Sequence, residues 1–277
     1  MSKIAFSFEV FPPRTPDTEA RMWSAIAQVA PLEPSFVSVT YGAGGTTRDY
    51  THRIAKTIAG EKKLKAAAHL TCVGAERGEI DAVARAHWEA GVRHIVALRG
   101  DPPKGTPKYI PHAKGYAYTT DLIGGLKAIA DFEISVSAYP EKHPESESFD
   151  EDIRVLKMKQ ESGADRAITQ FFFEDDFFLR LRDRASKAGV TIPVIPGIIP
   201  INNFAGVSKF SRSCGTSMPA EIEACFEGLE PDSEAHNAAA IEVATRQCQH
   251  LINEGVDFFH FYSMNRGDLI EGVIRNL

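Results

Sequence analysis

The sequence has few cysteines, and none of them are paired. Cys72, Cys214, Cys225 and Cys248 are its four. No two are spaced as CxxC, which argues for free thiols in a reducing compartment and against a disulfide frame or a thiolate zinc site. Met1 to Val10 has neither the basic region nor the apolar run of a signal peptide. No run of eighteen apolar residues occurs, so no membrane span is expected and cytoplasm is the default location. A net charge of −6 argues against a general nucleic-acid binder, which needs a basic face; a few local cations can still serve an anionic ligand. No Ser/Gly-rich or low-complexity stretch divides the chain, so one domain over 1–277 is expected. The sequence also lacks an HExxH helix, a regular His/Cys cluster, a GxSxG elbow, a Walker loop and a GxGxxG fingerprint. Serine hydrolysis is thereby disfavoured, no metal site is expected, and a metal-centred mechanism would need ligands scattered over several strands.

What is present is an alternation. Hydrophobic residues make up 43% of the 277 residues, ordinary for a globular chain that can bury a sizeable core. Short β-type runs at Ile4–Phe8, Phe36–Thr40, Lys65–Thr71, His94–Leu98, Glu133–Ala138, Arg166–Gln170, Pro193–Gly197 and Asp257–Tyr262 are each followed by a helical pattern. Thr15 before Pro16 marks the first helix start, a capping hydroxyl followed by proline in the first turn. The seventh return is longer than the others, with helical patterns near Asn203–Phe210, Pro219–Phe226 and Ser233–Asn253. Eight βα units and ~250 residues fit a (β/α)8 TIM barrel better than the competing doubly wound open sheet.

In such a barrel the chemistry sits where strands end. Ser7 and Glu9 share one face of the first strand, opposite Phe8. Glu9 therefore faces the mouth as a proton donor, or sits there as a salt-bridged rim residue. Thr40-Tyr41-Gly42-Ala43-Gly44-Gly45-Thr46 is a glycine-rich loop, suited to a ligand or to a tight turn. Arg99-Gly100-Asp101 puts a charged pair at the fourth strand end, where an Arg–Asp rim salt bridge is the bland alternative. Two prolines stiffen Tyr139-Pro140-Glu141-Lys142-His143-Pro144 and hold Tyr139 and His143. Gln170 precedes Phe171, Phe172 and Phe173, of which one could stack on a flat ligand. Arg266 adds a cation after the eighth strand. One acid, one amide, cations and aromatics suit a large flat anionic cofactor and a polar heterocycle better than hydrolysis.

The strings SFEVFPPR (7–14), FVSVTYGAGG (36–45), AHLTC (68–72), RHIVALRGDPP (93–103), ISVSAYPEKHPE (134–145), RAITQFFF (166–173), IPGIIP (195–200) and FHFYSMNR (259–266), in this order, resemble the bacterial methylenetetrahydrofolate reductases over nearly the whole chain. The resemblance implies an FAD-containing barrel that reduces 5,10-methylenetetrahydrofolate to 5-methyltetrahydrofolate with NADH or NADPH as donor. It implies catalytic roles for Glu9, as the general acid that opens the folate imidazolidine ring to an iminium ion, and for Asp101, beside the flavin pyrimidine edge. It places Thr40, Ala43, His69, Arg99, Gly100, Asp101, Tyr118, Tyr139, His143, Asp152 and Lys159 on FAD-contacting positions. Gln170, Phe210 and Arg266 fall on folate-binding positions. For His143 and Lys159 the alternative is a solvated surface charge. A homo-oligomer is expected, because small flavin barrels of this kind often assemble.

The sequence departs from the enteric pattern in two places, one in a loop and one in the helix before Phe210. Gly44-Gly45-Thr46-Thr47 stands where an Asn-Ser-Gly run is common, and Gly206 stands where a folate-contacting glutamine is usual. The long C-terminal regulatory region of the eukaryotic enzymes is missing, so inhibition by adenosylmethionine is not expected. Two other functions compete with the reductase. One is a flavin barrel subunit reduced by a partner protein; the other is a flavin-free pterin-binding methyltransferase barrel, which would need a corrinoid or metal partner.

Overall fold

Strands that are buried on both faces read as apolar runs, and eight of them close into a ring. The structure, a computed structural model, describes residues 4–42, 48–102, 105 and 109–277. In order the elements are β1 Ala5–Val10, α1 Pro16–Val29, β2 Val37–Val39, α2 Arg48–Gly60, β3 Ala66–Thr71, α3 Arg77–Glu89, β4 His94–Leu98, α4 Thr119–Ile129, β5 Glu133–Ala138, α5 Phe149–Glu161, β6 Arg166–Phe171, α6 Asp175–Lys187, β7 Val194–Ile198, α7 Phe204–Cys214, α8 Ala220–Ala224, α9 Glu234–Asn253, β8 Phe258–Tyr262 and α10 Gly267–Arg275. Every strand pairs in parallel with its sequence neighbours, and β1 closes on β8. This is the (β/α)8 barrel expected from the alternation. The second strand is the shortest, pairing only over Val37–Val39. Thr15 caps α1 as expected, in a reciprocal box with Thr18.

The period of two sorts side chains into an outer and an inner layer. Phe6, Phe8 and Val10 of β1 and Phe259 and Phe261 of β8 point outward. They join Met22 and Ile26 of α1 in the main core. Burying a side chain such as Phe8 completely stabilises the fold by about 1.5–3 kcal/mol. The alternate residues point inward. Ser7 pairs in register with His260, and Glu9 with Tyr262. Phe36, Ala67, Val96 and Ile168 fill the interior below them. The barrel is therefore apolar outside its strands, and polar inside toward one end.

The long return after β7 forms a second core. Val207 of α7, Ile222 of α8 and Val243 of α9 pack with Phe171, Ile199 and Phe226, which seats α7 beside the mouth. Among the described residues no helix is long and apolar enough to cross a membrane.

Candidate active site

Two adjoining cavities open where the strands end. The larger, about 600 Å³, is lined from the ends of β4 and β5 and from α5. The smaller, about 310 Å³, is a well over the barrel axis. Tyr41, Leu98, Asp101, Ser137 and Tyr139 line both, so the two are lobes of one site.

In the long lobe, charges are held by protein partners. Gly100 has φ +86, and a Cβ there would meet Val73 Cγ1 at 2.4 Å. Only glycine fits this turn, which lets Arg99 and Asp101 both line the lobe. Arg99 pairs with Glu145 at 2.6 Å, and not with Asp101 as a rim pair would require; its guanidinium also lies 4.5 Å over the Tyr109 ring. The bond to Arg99 holds the Glu145 carboxyl below its usual range. Asp152, in the acidic first turn of α5, accepts the backbone N–H of His143 at 2.8 Å. His143 stands edge-on to Tyr139, ring centroids 4.6 Å apart, in a loop that Lys142 pins by bonds to the carbonyls of His143 and Ser146. Burial and the nearby Arg99 lower the His143 pKa. Its Nδ1 accepts from the Glu145 N–H at 3.0 Å, which leaves Nε2 to carry the hydrogen. Lys159 is buried at 7% exposure, so it is no solvated surface charge. Its Nζ donates to the Ser137 carbonyl at 2.7 Å, and burial pulls its pKa down to about 8. Tyr118 stands at the rim, 57% exposed.

The well is lined differently. Glu9, Thr40, His69, Gln170, Phe210, His260 and Tyr262 meet there. Glu9 Oε2 lies 3.1 Å from His69 Nε2, with both side chains nearly buried, and the Glu9 carbonyl accepts from Ser263 Oγ. The β6–β7 register shifts between Ile168 and Phe171, an irregularity of the kind that re-aims side chains beside sites. Within it, Gln170 Oε1 accepts the Phe171 N–H at 3.0 Å, which commits the amide oxygen and leaves the amide hydrogens free to donate. Tyr262 donates to the Thr169 carbonyl at 2.7 Å, across from a Gly197 whose added Cβ would meet the Tyr262 ring at 2.6 Å. Burial and the nearby Glu9 push the Tyr262 phenol well above its usual pKa, so it stays neutral. Phe171 and Phe172 are core residues, while Phe210 of α7 is 40% exposed and 5.4 Å from Phe171, centroid to centroid.

One expected residue is outside this constellation and another cannot be placed in it. Ala43 lies outside the described residues. Arg266 lines neither lobe; it binds Asp268 at 2.6 Å, Asn237 at 3.0 Å and also Asp232. Gly206 sits in the first turn of α7, its N–H bound to the Asn203 cap at 2.8 Å. The sequence motifs assign no role to Ser137, His260 or Tyr262. The last two were legible in principle, since FHFY alternates in the same register as Ser7 and Glu9. Among the described residues no cluster of three or more His, Cys, Asp or Glu could hold a metal ion.

A family model described as methylenetetrahydrofolate reductase matches residues 1–277. The chain belongs to this family. This reductase is 45% identical to the 5,10-methylenetetrahydrofolate reductase of Salmonella typhimurium over 99% of the chain and 91% of that protein, and 44% identical to the Escherichia coli enzyme with the same coverage. A probable methylenetetrahydrofolate reductase (NADH) of Oryza sativa is 34% identical over 99% of the chain, which spans 48% of the rice protein. The reductase is thus an oxidoreductase. Its fold recurs at 14% identity in a Clostridium thermocellum protein that binds two copies of 5-methyl-5,6,7,8-tetrahydrofolic acid, with a TM-score of 0.62 over 99% of this chain and 93% of that one.

Proposed function

We propose that this reductase holds FAD in the long lobe and converts 5,10-methylenetetrahydrofolate to 5-methyltetrahydrofolate in the well. NADH or NADPH and the folate would use that well in turn, giving ping-pong kinetics. The supporting observation is the junction of the lobes: Asp101 and Tyr139 line both, so a ring seated there borders the long lobe on one side and Glu9 on the other. The donor set suits an anionic dinucleotide. Arg99, His143 and Lys159 offer N–H groups to a pyrophosphate, and Asp152 offers a carboxylate to hydroxyls. Thr40 and His69 line the well beside the shared wall, Gly100 keeps the lobe open, and Tyr118 borders it just ahead of α4. When bound, the flavin supplies the two-electron carrier that no side chain provides.

The chain's own residues do the rest. Glu9 gives a proton to a ring nitrogen of the folate, and the imidazolidine opens. The charge of Asp101 favours the cationic open form by Coulomb attraction. Gln170 donates its free amide hydrogens to the pterin, Phe210 stacks on the ring in the well, and Arg266, beyond the lining, meets the far end of the folate. The test is the visible spectrum of the purified protein under anaerobic NADH, then NADPH. Flavin bands that bleach with either and return with methylenetetrahydrofolate are expected. A protein that takes up no flavin when incubated with FAD overturns the reading, and bands untouched by both nicotinamides point to a partner protein as the donor.

A further inference from the structure

The inner wall of the barrel carries three imidazoles, and two of them are tied off. His94 Nε2 is 2.7 Å from Ser135 Oγ, and His260 Nδ1 is 2.7 Å from Ser7 Oγ. Burial pushes the pKa of His260 to about 3 and that of His94 well below its usual value. Both are neutral spacers against Phe36: His260 stacks on its ring at 5.8 Å between centroids, and His94 meets it edge-on at 4.5 Å. His69 is different. It has no serine partner; its Nε2 faces the Glu9 carboxyl at 3.1 Å, and the two side chains are 10% and 7% exposed.

We propose that His69 is a positioning residue for Glu9, donating from Nε2 to Oε2 so that the acid presents its proton on Oε1 to the substrate. This rests on the reading of Glu9 as the general acid, and it gives His69 a task apart from any contact with flavin. The hydrogen bond fixes one carboxyl rotamer and stabilises the carboxylate left behind. The proton that leaves Oε1 goes to the folate nitrogen as its C–N bond breaks, and it is replaced from solvent through the open well. Tyr41, Asp101, Tyr139, His260 and Tyr262 face the well, with His94 below, while β6 contributes only Ile168 and Gln170. Tyr139 and Tyr262 are both pushed up by burial and stay protonated.

The test uses the flavin-loaded enzyme for rates and the flavin-free protein for spectroscopy. His69→Leu removes the donor, whereas His69→Gln returns an N–H near the Nε2 position. In single-turnover reaction with methylenetetrahydrofolate, His69→Leu should move the midpoint of the pH–rate profile upward by about one pH unit, the worth of one hydrogen bond. It should also slow the step roughly 10-fold with folate affinity little changed, and His69→Gln should recover most of both. In flavin-free protein the 15N resonance of His69 Nε2 should shift on Glu9→Gln. If Glu9→Gln abolishes folate turnover but the His69→Leu profile stays in place and the 15N resonance does not move, the His69 assignment is wrong and the acid stands. If Glu9→Gln keeps wild-type folate turnover, the acid reading itself fails.

Discussion

The two lobes of the site share a wall and differ in how their charges are arranged. In the long lobe, Arg99 has Glu145, His143 has Asp152, and Lys159 has Ser137. Each polar group is oriented by the protein before any ligand arrives, as a surface that grips a large anion requires. In the well, a carboxyl stands against an imidazole and neutral phenols, over a floor of Val96 and Ile168. A low-dielectric setting with a carboxyl beside an imidazole suits moving a proton at a chosen atom better than holding a charged cofactor. On the proposed function, binding and chemistry divide between neighbouring parts of one barrel mouth, and Asp101 lines both.

The sharpest way to break that division is Glu9→Gln. The amide keeps the shape and the contact with His69 but has no acidic proton. Transfer to methylenetetrahydrofolate should fall by about 10²–10⁴-fold, the usual contribution of a general acid, while bleaching of the flavin by the nicotinamide stays within a few-fold of wild type. Stopped-flow measurement of the two half-reactions checks this. Equal losses in both would show that the lobes do not divide the work.

Lys159→Met tests the other side. Loss of one charge-assisted contact costs about 1.5–3 kcal/mol, which is roughly a 10- to 150-fold weaker FAD Kd. The pH dependence gives a second reading. The free lysine has its pKa lowered to about 8 by burial, and a bound pyrophosphate would raise it again, so binding takes up a proton. Affinity should therefore be full below about pH 8 and fall as pH rises above it. Fluorescence titration with FAD at pH 7 and pH 9.5 should show this fall in wild type and not in Lys159→Met. A wild-type Kd that is flat in pH would place the pyrophosphate away from Lys159.

The lobes were unequally legible in the sequence. Glu9 could be aimed at the mouth because strand periodicity is local, and the β-type runs found every strand for the same reason. His94–Leu98 and Glu133–Ala138 match their predicted bounds, and the other strands fall within two residues of theirs. The pairings were not legible. Arg99 reaches Glu145 across 46 residues and Ser7 reaches His260 across 253, separations set by closure of the barrel and invisible to any window. Arg266 shows the same limit. Its motif marks a cation at a strand end, but its carboxylate partners include Asp232, ahead of α9, which draws it out of the well's lining. For Lys159 the resemblance implies an FAD contact, with a solvated surface charge as the alternative; its burial and its bond to the Ser137 carbonyl, 22 residues away, remove that alternative.

Gly197→Ala probes the well through its packing alone. The added methyl would lie 2.3 Å from the Thr169 carbonyl and 2.6 Å from the Tyr262 ring, closer than real side chains approach backbone. Tyr262 must then shift, which strains its bond to Thr169 and disturbs the wall of the well. Overpacking of this kind costs about 1–3 kcal/mol, which lowers Tm by several degrees in a chain of this size. No residue special to the long lobe is touched, so the FAD Kd should stay within a few-fold of wild type while the KM for folate rises. Calorimetry and the FAD titration together check the expectation. A lowered Tm with equal losses in both affinities would mean that the shared wall of Asp101 and Tyr139 transmits the strain, and that the two lobes are one mechanical unit despite their different chemistry.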